Sequence, residues 1–254
     1  MPNLEREGVR IYYEDHGKGL PVLLSHGYGA TSQMWGGQLE AFQDRYRIIV
    51  WDMRGHGQSD YPQAQTAYSE AHTVADMAAV LDACRVERAV IGGLSLGGYS
   101  SLAFYLRHPH MVRALLLIDT GPGYKRDEAR EEWNIRAGQR ADKLEAEGLA
   151  ARGDSEEVRI STHRSADGLA KAARGMLTQH DARVIGSLEA IQVPALVLVG
   201  AQDTRFLAAT DYMANKISGA RKAIIADAGH ASNIHQPAAF NEAVGAFLDG
   251  LPAD

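Results

Sequence analysis

The stretch from Arg88 to Gly98 reads Arg-Ala-Val-Ile-Gly-Gly-Leu-Ser-Leu-Gly-Gly, and it decides how the rest of the chain is interpreted. Its apolar run predicts a buried strand that ends near Gly92, and a helix pattern begins near Gly98. Ser95 is therefore expected on a sharp strand-to-helix turn, where small neighbours are needed because the backbone passes close by. The flanking glycines supply that room, so Ser95 is a candidate nucleophile. The alternative is a Gly-rich structural turn whose serine caps a helix.

Short apolar runs alternate with longer amphipathic segments along most of the chain. Near-continuous apolar strands are typical of a parallel sheet covered on both faces, and their alternation with helices predicts right-handed βαβ units. The sequence thus predicts an α/β fold with a mostly parallel, twisted sheet flanked by helices. At the start, the strands Val9–Glu14 and Pro21–Ser25 are expected to form an antiparallel hairpin. The other predicted strands are 46–51, 88–92, 112–118, 194–199 and 222–226.

One segment interrupts this alternation. Between Lys125 and Arg164, 19 of 40 residues are charged, nine positive and ten negative, and no strand-like run follows until Val193. This composition predicts a helical insertion with a solvated face, in preference to an ion-binding role. We expect a core of residues 1–120 and 188–254, with a helical cap of residues 121–187 above Ser95. Trp133 and Met176 are candidates for lining the pocket, although either could equally pack the cap onto the core.

A serine nucleophile needs a base, and the base needs an orienting carboxylate. Asp203 and His230 each follow a predicted strand, at the edge where open α/β sheets bind ligands. The chain order is therefore Ser, Asp, His. Asp119 also follows a strand and is the alternative acid.

The loop after the strand Pro21–Ser25 supplies a second candidate element. The backbone N–H groups of Tyr28 and Leu96 are expected to receive an oxyanion. His26 and His56 are interpreted as structural residues.

Five motifs carry a family resemblance that spans nearly the whole chain. The chain resembles the serine α/β-hydrolases that have a helical cap between the sixth and seventh core strands. This resemblance implies Ser95 as nucleophile, Asp203 as acid and His230 as base, with Tyr28 and Leu96 as oxyanion donors. Many relatives carry Glu after the catalytic His, where this chain has His235, which we interpret as not catalytic. The motifs are His26–Gly29, Asp52–Asp60, Gly93–Gly98, Gly200–Asp203 and Gly229–His230.

Within the family, Ser95 excludes the epoxide hydrolases and haloalkane dehalogenases, which need a carboxylate nucleophile. The chain looks most like the carboxylesterase and 3-oxoadipate enol-lactonase branch. We expect hydrolysis of small to medium acyl esters through an acyl-enzyme. Thioesterase, perhydrolase and C–C hydrolase activities use the same triad and stay open. A slow-turnover receptor or signalling partner is the alternative of another class, and a turnover number separates it from an enzyme.

The composition of the chain indicates which classes of partner and cofactor to expect. The formal net charge is −6, and a mildly acidic chain does not favour nucleic-acid binding. Apolar runs such as Ala114–Ile118 reach only five residues, which is too short to span a bilayer, and no signal peptide is predicted. The single cysteine, Cys84, fits a cytoplasmic protein. Because no dinucleotide or metal motif occurs, we expect a small-molecule acyl substrate and no cofactor.

Overall fold

Eight strands form one sheet in the computed structural model, which describes residues 3–252. Their spatial order is β1-β2-β4-β3-β5-β6-β7-β8, with antiparallel pairing at β1–β2 and β2–β4 and parallel pairing elsewhere. The strands are β1 Asn3–Arg6, β2 Val9–His16, β3 Pro21–Ser25, β4 Arg47–Trp51, β5 Ala89–Leu94, β6 Val112–Ile118, β7 Ala195–Gly200 and β8 Arg221–Ile225. The expected mostly parallel α/β sheet is therefore confirmed.

Ten α-helices accompany these strands within residues 3–252, together with shorter 3₁₀ and π turns. They are α1 Gly36–Phe42, α2 Glu70–Ala83, α3 Leu96–Arg107, α4 Asp127–Glu147, α5 Glu156–Arg159, α6 Ala166–Ala172, α7 Arg183–Gly186, α8 Leu207–Lys216, α9 Ser232–His235 and α10 Pro237–Asp249. No helix of this described region is both long and apolar enough to cross a bilayer.

The predicted hairpin between β2 and β3 is wrong. β2 pairs antiparallel with β1 and β4, whereas β3 lies between β4 and β5 and is parallel to both. The physical reason is burial, because Val22 to Ser25 are all buried and an apolar strand of this kind needs neighbours on both sides. The antiparallel partner of β2 is β1, a four-residue strand with alternating burial that precedes a turn at Glu7 and Gly8. This short alternating run is the signal in the sequence that could have indicated the pairing.

The sheet separates two apolar cores. Leu23 and Ile91 point into one core with α2 and α3, and Leu24 and Val90 point into the other with α1 and α10. Successive side chains of a strand face opposite sides, so the central strands contribute to both cores. A sheet covered on both faces leaves its carboxyl edge as the place where polar side chains can gather.

The residues between β6 and β7 form no strand and contain α4 to α7. This segment, residues 119–194, is called the helical insertion below, and it contacts the loops of the sheet at several points. The Tyr28 hydroxyl donates to the Leu169 carbonyl at 2.7 Å, and His163 Nε2 donates to the Gly29 carbonyl at 2.8 Å. Both of these contacts fall on the loop that follows β3.

Candidate active site

Ser95 occupies a strained turn between β5 and α3. Its φ of 56° and ψ of −113° lie in a region that side-chain-bearing residues rarely adopt. A Cβ added at Gly93 would lie 2.6 Å from the Ser25 carbonyl oxygen, and one added at Gly97 would lie 2.2 Å from it. Glycine is therefore required on both sides of Ser95, as the sequence predicted. The turn leaves the Ser95 side chain partly exposed.

Asp203 and His230 meet at the carboxyl edge of the sheet. Asp203 follows β7 and His230 follows β8, and the two strands pair up to Gly200 and Ile225. His230 Nδ1 lies 2.7 Å from Asp203 Oδ2, which fixes the proton on Nδ1 and leaves Nε2 as the acceptor. About a third of the His230 side chain is exposed, whereas Asp203 is buried.

The strand register brings Ser95 to the same edge. Leu94 pairs with Ile118, and Ile118 pairs with Leu198 on the strand that leads to Asp203. The Ser95 amide donates to the Ile118 carbonyl at 3.0 Å. Within residues 3–252, Ser95 Oγ has no hydrogen-bond partner, and His230 Nε2 has none either. Both groups lie at the carboxyl edge formed by the neighbouring strands β5 to β8.

Asp119, the alternative acid, has other partners. Its Oδ1 accepts from the Gly200 amide at 2.7 Å, and its Oδ2 accepts from the Ser232 hydroxyl and, at 3.4 Å, the Ser232 amide. Burial raises the pKa of the Asp119 carboxyl to about 7, although these hydrogen bonds act in the opposite direction. Asp119 therefore links the end of β7 to the helix that follows His230, and it is Asp203 that contacts the imidazole.

The two candidate oxyanion donors lie on either side of the Ser95 turn. Leu96 is the first residue of α3, and Tyr28 belongs to the loop after β3. Within residues 3–252, neither backbone amide donates a hydrogen bond. A Cβ added at Gly27 would lie 3.6 Å from Ser95 Cβ, so this loop packs directly against the serine.

Three histidines hold that loop in place, and two of them, His26 and His56, are fully buried. His26 accepts from the Met53 amide at 2.9 Å, and His56 accepts from the Gly29 amide at 3.2 Å. His163, from the helical insertion, accepts from the Gly57 amide at 3.3 Å. Burial lowers the pKa of all three, that of His163 to about 4. The structural interpretation of His26 and His56 is confirmed by these contacts, whereas His163 had no local signal in the sequence.

His235 has a structural contact of its own. Its Nδ1 accepts from the Gly229 amide at 2.8 Å, and its Nε2 lies 3.5 Å from Glu156 Oε2 of α5. The side chain therefore braces the backbone next to His230.

Trp133 and Met176 lie inside the helical insertion. The Trp133 indole N–H donates to the Leu177 carbonyl at 2.6 Å, and Met176 is buried in the apolar core on the α2 and α3 side. Their role in lining a pocket stays a prediction. In the described region, no three His, Cys, Asp or Glu side chains are placed to hold a metal ion.

The environment of His230 predicts a pH dependence of activity. Burial lowers its pKa, but the carboxylates of Asp203, Asp119 and Glu157 outweigh burial and raise it above the ordinary value of 6.5. A protonated imidazole cannot accept the serine proton, so kcat/KM is expected to fall as pH drops, with a midpoint above 6.5. A pH–rate profile for ester hydrolysis measures this midpoint.

The matched variants for this prediction are His230→Ala and His235→Ala. The first is expected to abolish hydrolysis and the second to retain it, because His235 donates and accepts only at structural partners. Equal losses in both variants, or an acid limb that survives in His230→Ala, would assign the titrating base elsewhere.

Comparison with known proteins shows which family and fold the chain resembles. Residues 21–145 match the model of the alpha/beta hydrolase fold family. The chain is 30% identical to 3-oxoadipate enol-lactonase 2 of Acinetobacter baylyi over 96% of this chain and 95% of the relative. It is similar in structure to the enol-lactonase of Burkholderia xenovorans LB400, with a TM-score of 0.80, 26% identity and coverage of 98% and 100% of the two chains. A thermophilic esterase of Thermogutta terrifontis gives a TM-score of 0.82, 28% identity and coverage of 99% and 97%.

Proposed function

Because the chain belongs to the alpha/beta hydrolase fold family, we propose that it is a serine hydrolase that cleaves carboxylic esters of small to medium acyl groups. The observation that carries this proposal is the strained Ser95 turn beside a His230 whose Nδ1 is held 2.7 Å from Asp203. A free serine hydroxyl, a free imidazole acceptor and two free amides are the groups that acyl transfer requires.

The proposed reaction has two halves. His230 Nε2 takes the proton of Ser95 Oγ as the oxygen attacks the acyl carbonyl, and Asp203 stabilises the imidazolium. The amides of Tyr28 and Leu96 hold the oxyanion until the carbonyl re-forms and the alcohol leaves with the proton from Nε2. Water then gives a proton to His230 and attacks the acyl-enzyme, which releases the acid and restores Ser95.

The helical insertion is proposed to act as a lid over this site. Its contacts with the loop after β3, through Leu169 and His163, support a position beside the oxyanion donors. A lid excludes water and limits the length of the acyl group that fits beneath it.

Enol-lactone hydrolysis is the second candidate. It is favoured by the identity and coverage shared with the Acinetobacter enol-lactonase. A lactone differs from an open ester only in that the leaving alcohol stays tethered to the acyl group, so the same triad serves both reactions.

A substrate panel tests the proposal and its alternatives. The purified protein is assayed with p-nitrophenyl esters from acetate to palmitate, an enol-lactone and an acyl thioester. We expect acetate and butyrate to give a higher kcat/KM than laurate and palmitate, because a roofed pocket has no room for a long chain. Trp133→Ala is expected to change this chain-length profile more than it changes the acetate rate.

Three other results would replace the proposal. A clear preference for the enol-lactone would make the second candidate the main activity. A preference for long chains with activation at an oil–water interface would indicate a lipase. Turnover below about one per hour for every substrate, far under the usual enzyme range of roughly 1–10³ s⁻¹, would indicate a receptor.

A further inference from the structure

Helix α5 of the helical insertion lies between two loops that flank the candidate active site. On the side of the first loop, Glu156 Oε2 is 3.5 Å from His235 Nε2, in the segment that follows His230. On the side of the second loop, which carries Tyr28 and Gly29, a Cβ added at Gly29 would lie 3.5 Å from Val158 Cγ2 of α5. Helix α5, which carries Glu157 between these two contacting residues, therefore reaches from the segment after His230 to the loop that carries Tyr28.

Glu157 faces inward from this helix. It is buried, whereas its neighbour Glu156 is 43% exposed at the side chain and Arg159 is 61% exposed. Glu157 Oε1 accepts from the Ser155 hydroxyl at 2.6 Å. Its Oε2 is buried without a hydrogen-bond partner among the described residues. A carboxylate oxygen in that state is costly unless something donates to it, so it needs an explanation.

Glu157 differs from the other buried polar atoms without partners. Within residues 3–252 those atoms belong to neutral side chains, namely Ser32, Trp35, Thr210 and Asn233. Glu157 is also one of the three carboxylates whose charge acts on His230, and the other two, Asp203 and Asp119, already accept hydrogen bonds. Beside the candidate base, the acceptor with spare capacity is thus Glu157 Oε2.

We propose that Glu157 accepts a hydrogen bond from the alcohol half of the substrate, so that the preferred esters carry a hydroxyl or ammonium group beyond the scissile oxygen. The inference rests on the proposed ester hydrolysis. The leaving oxygen must reach His230 Nε2 to take its proton, so the alcohol half lies on the His230 side, where Glu157 acts. The terminal torsion of a Glu side chain is broad, which lets Oε2 turn to meet a donor.

Matched alcohol halves on one acyl group test this placement. The purified protein is assayed with propyl, 2-methoxyethyl, 2-hydroxyethyl and 2-(dimethylamino)ethyl butyrate near neutral pH. The hydroxyethyl ester is expected to exceed the methoxyethyl ester, which has a similar electron-withdrawing group but no donor, by about 10- to 100-fold in kcat/KM. The protonated dimethylaminoethyl ester distinguishes a cationic donor from a neutral one.

A variant and its neighbour on the same helix identify the acceptor. Glu157→Gln keeps the shape but weakens the acceptor, so the hydroxyethyl-to-methoxyethyl ratio is expected to fall to within about threefold of unity. Glu156→Gln removes the adjacent, more exposed carboxylate and should keep the wild-type ratio. A hydroxyethyl-to-methoxyethyl ratio near one in the wild type overturns the proposal. So does a Glu157→Gln variant that keeps the wild-type ratio.

Binding of amides separates this inference from the proposed activity. N-(2-hydroxyethyl)butyramide and N-propylbutyramide are compared by calorimetry, which does not depend on turnover. If no ester is hydrolysed but the hydroxyethyl amide binds at least tenfold tighter, the ester-hydrolase proposal fails and the donor site stands. If esters are hydrolysed and both amides bind equally, the donor site fails alone.

Discussion

Replacing Ser95 with alanine is expected to reduce kcat for p-nitrophenyl butyrate by about 10⁴-fold or more. The reason is that the acyl-enzyme cannot form without Oγ. Substrate binding and the oxyanion donors alone support only a small residual rate of hydrolysis. A fluorophosphonate probe should add one label per wild-type chain, found at Ser95 by mass spectrometry, and should not label the variant.

The strained backbone makes the control for this experiment important. Alanine at the Ser95 φ of 56° is no worse than serine sterically, so unfolding temperature should change little. Ser100→Ala, in the same helix α3, is the matched control and should keep both activity and labelling. Labelling at another serine, or an active Ser95→Ala, would contradict the assignment of the nucleophile.

The strand-to-helix turn at Ser95 could be predicted from the sequence because its causes are local. An apolar strand, flanking glycines and a helix pattern lie within about a dozen residues of Ser95, and the close approach of Gly97 to Ser25 confirms why glycine is required. The positions of Asp203 and His230 also followed from local strand ends, since parallel strands bring their carboxyl ends to one edge.

Features that depend on distant contacts could not be predicted in this way. The true partners of β3 depend on how buried strands compete for the centre of the sheet, and the sequence order alone favoured a hairpin with β2. His163 and Glu157 belong to a segment whose composition indicates only a solvated helical face. His163 and the helix that carries Glu157 contact the loop after β3, more than 100 residues earlier, and no local pattern indicates such a contact.

The choice between the two carboxylates near His230 leads to the second large effect. Asp203→Asn is expected to reduce kcat by about 10³- to 10⁴-fold while the fold is retained. An amide that donates to Nδ1 leaves the imidazole proton on Nε2, where it blocks acceptance of the serine proton. The measurement is single-turnover and steady-state hydrolysis of p-nitrophenyl butyrate, with unfolding temperature as the check on folding.

Asp119→Asn is the matched comparison, because both carboxylates lie at the same sheet edge and act on His230. The asparagine oxygen can still accept from the Gly200 amide, so the variant weakens mainly the contact with Ser232. The loss of that hydrogen bond is worth about 1 kcal/mol, so kcat is expected to fall by no more than roughly fivefold. Removing the Asp119 charge should also lower the pKa of His230 and move the acid limb of the pH profile to lower pH. Asp203→Asn instead removes the group that holds the tautomer. If Asp119→Asn were crippled and Asp203→Asn nearly normal, the orienting acid would be Asp119, and the 2.7 Å contact between Asp203 and His230 would be a structural ion pair.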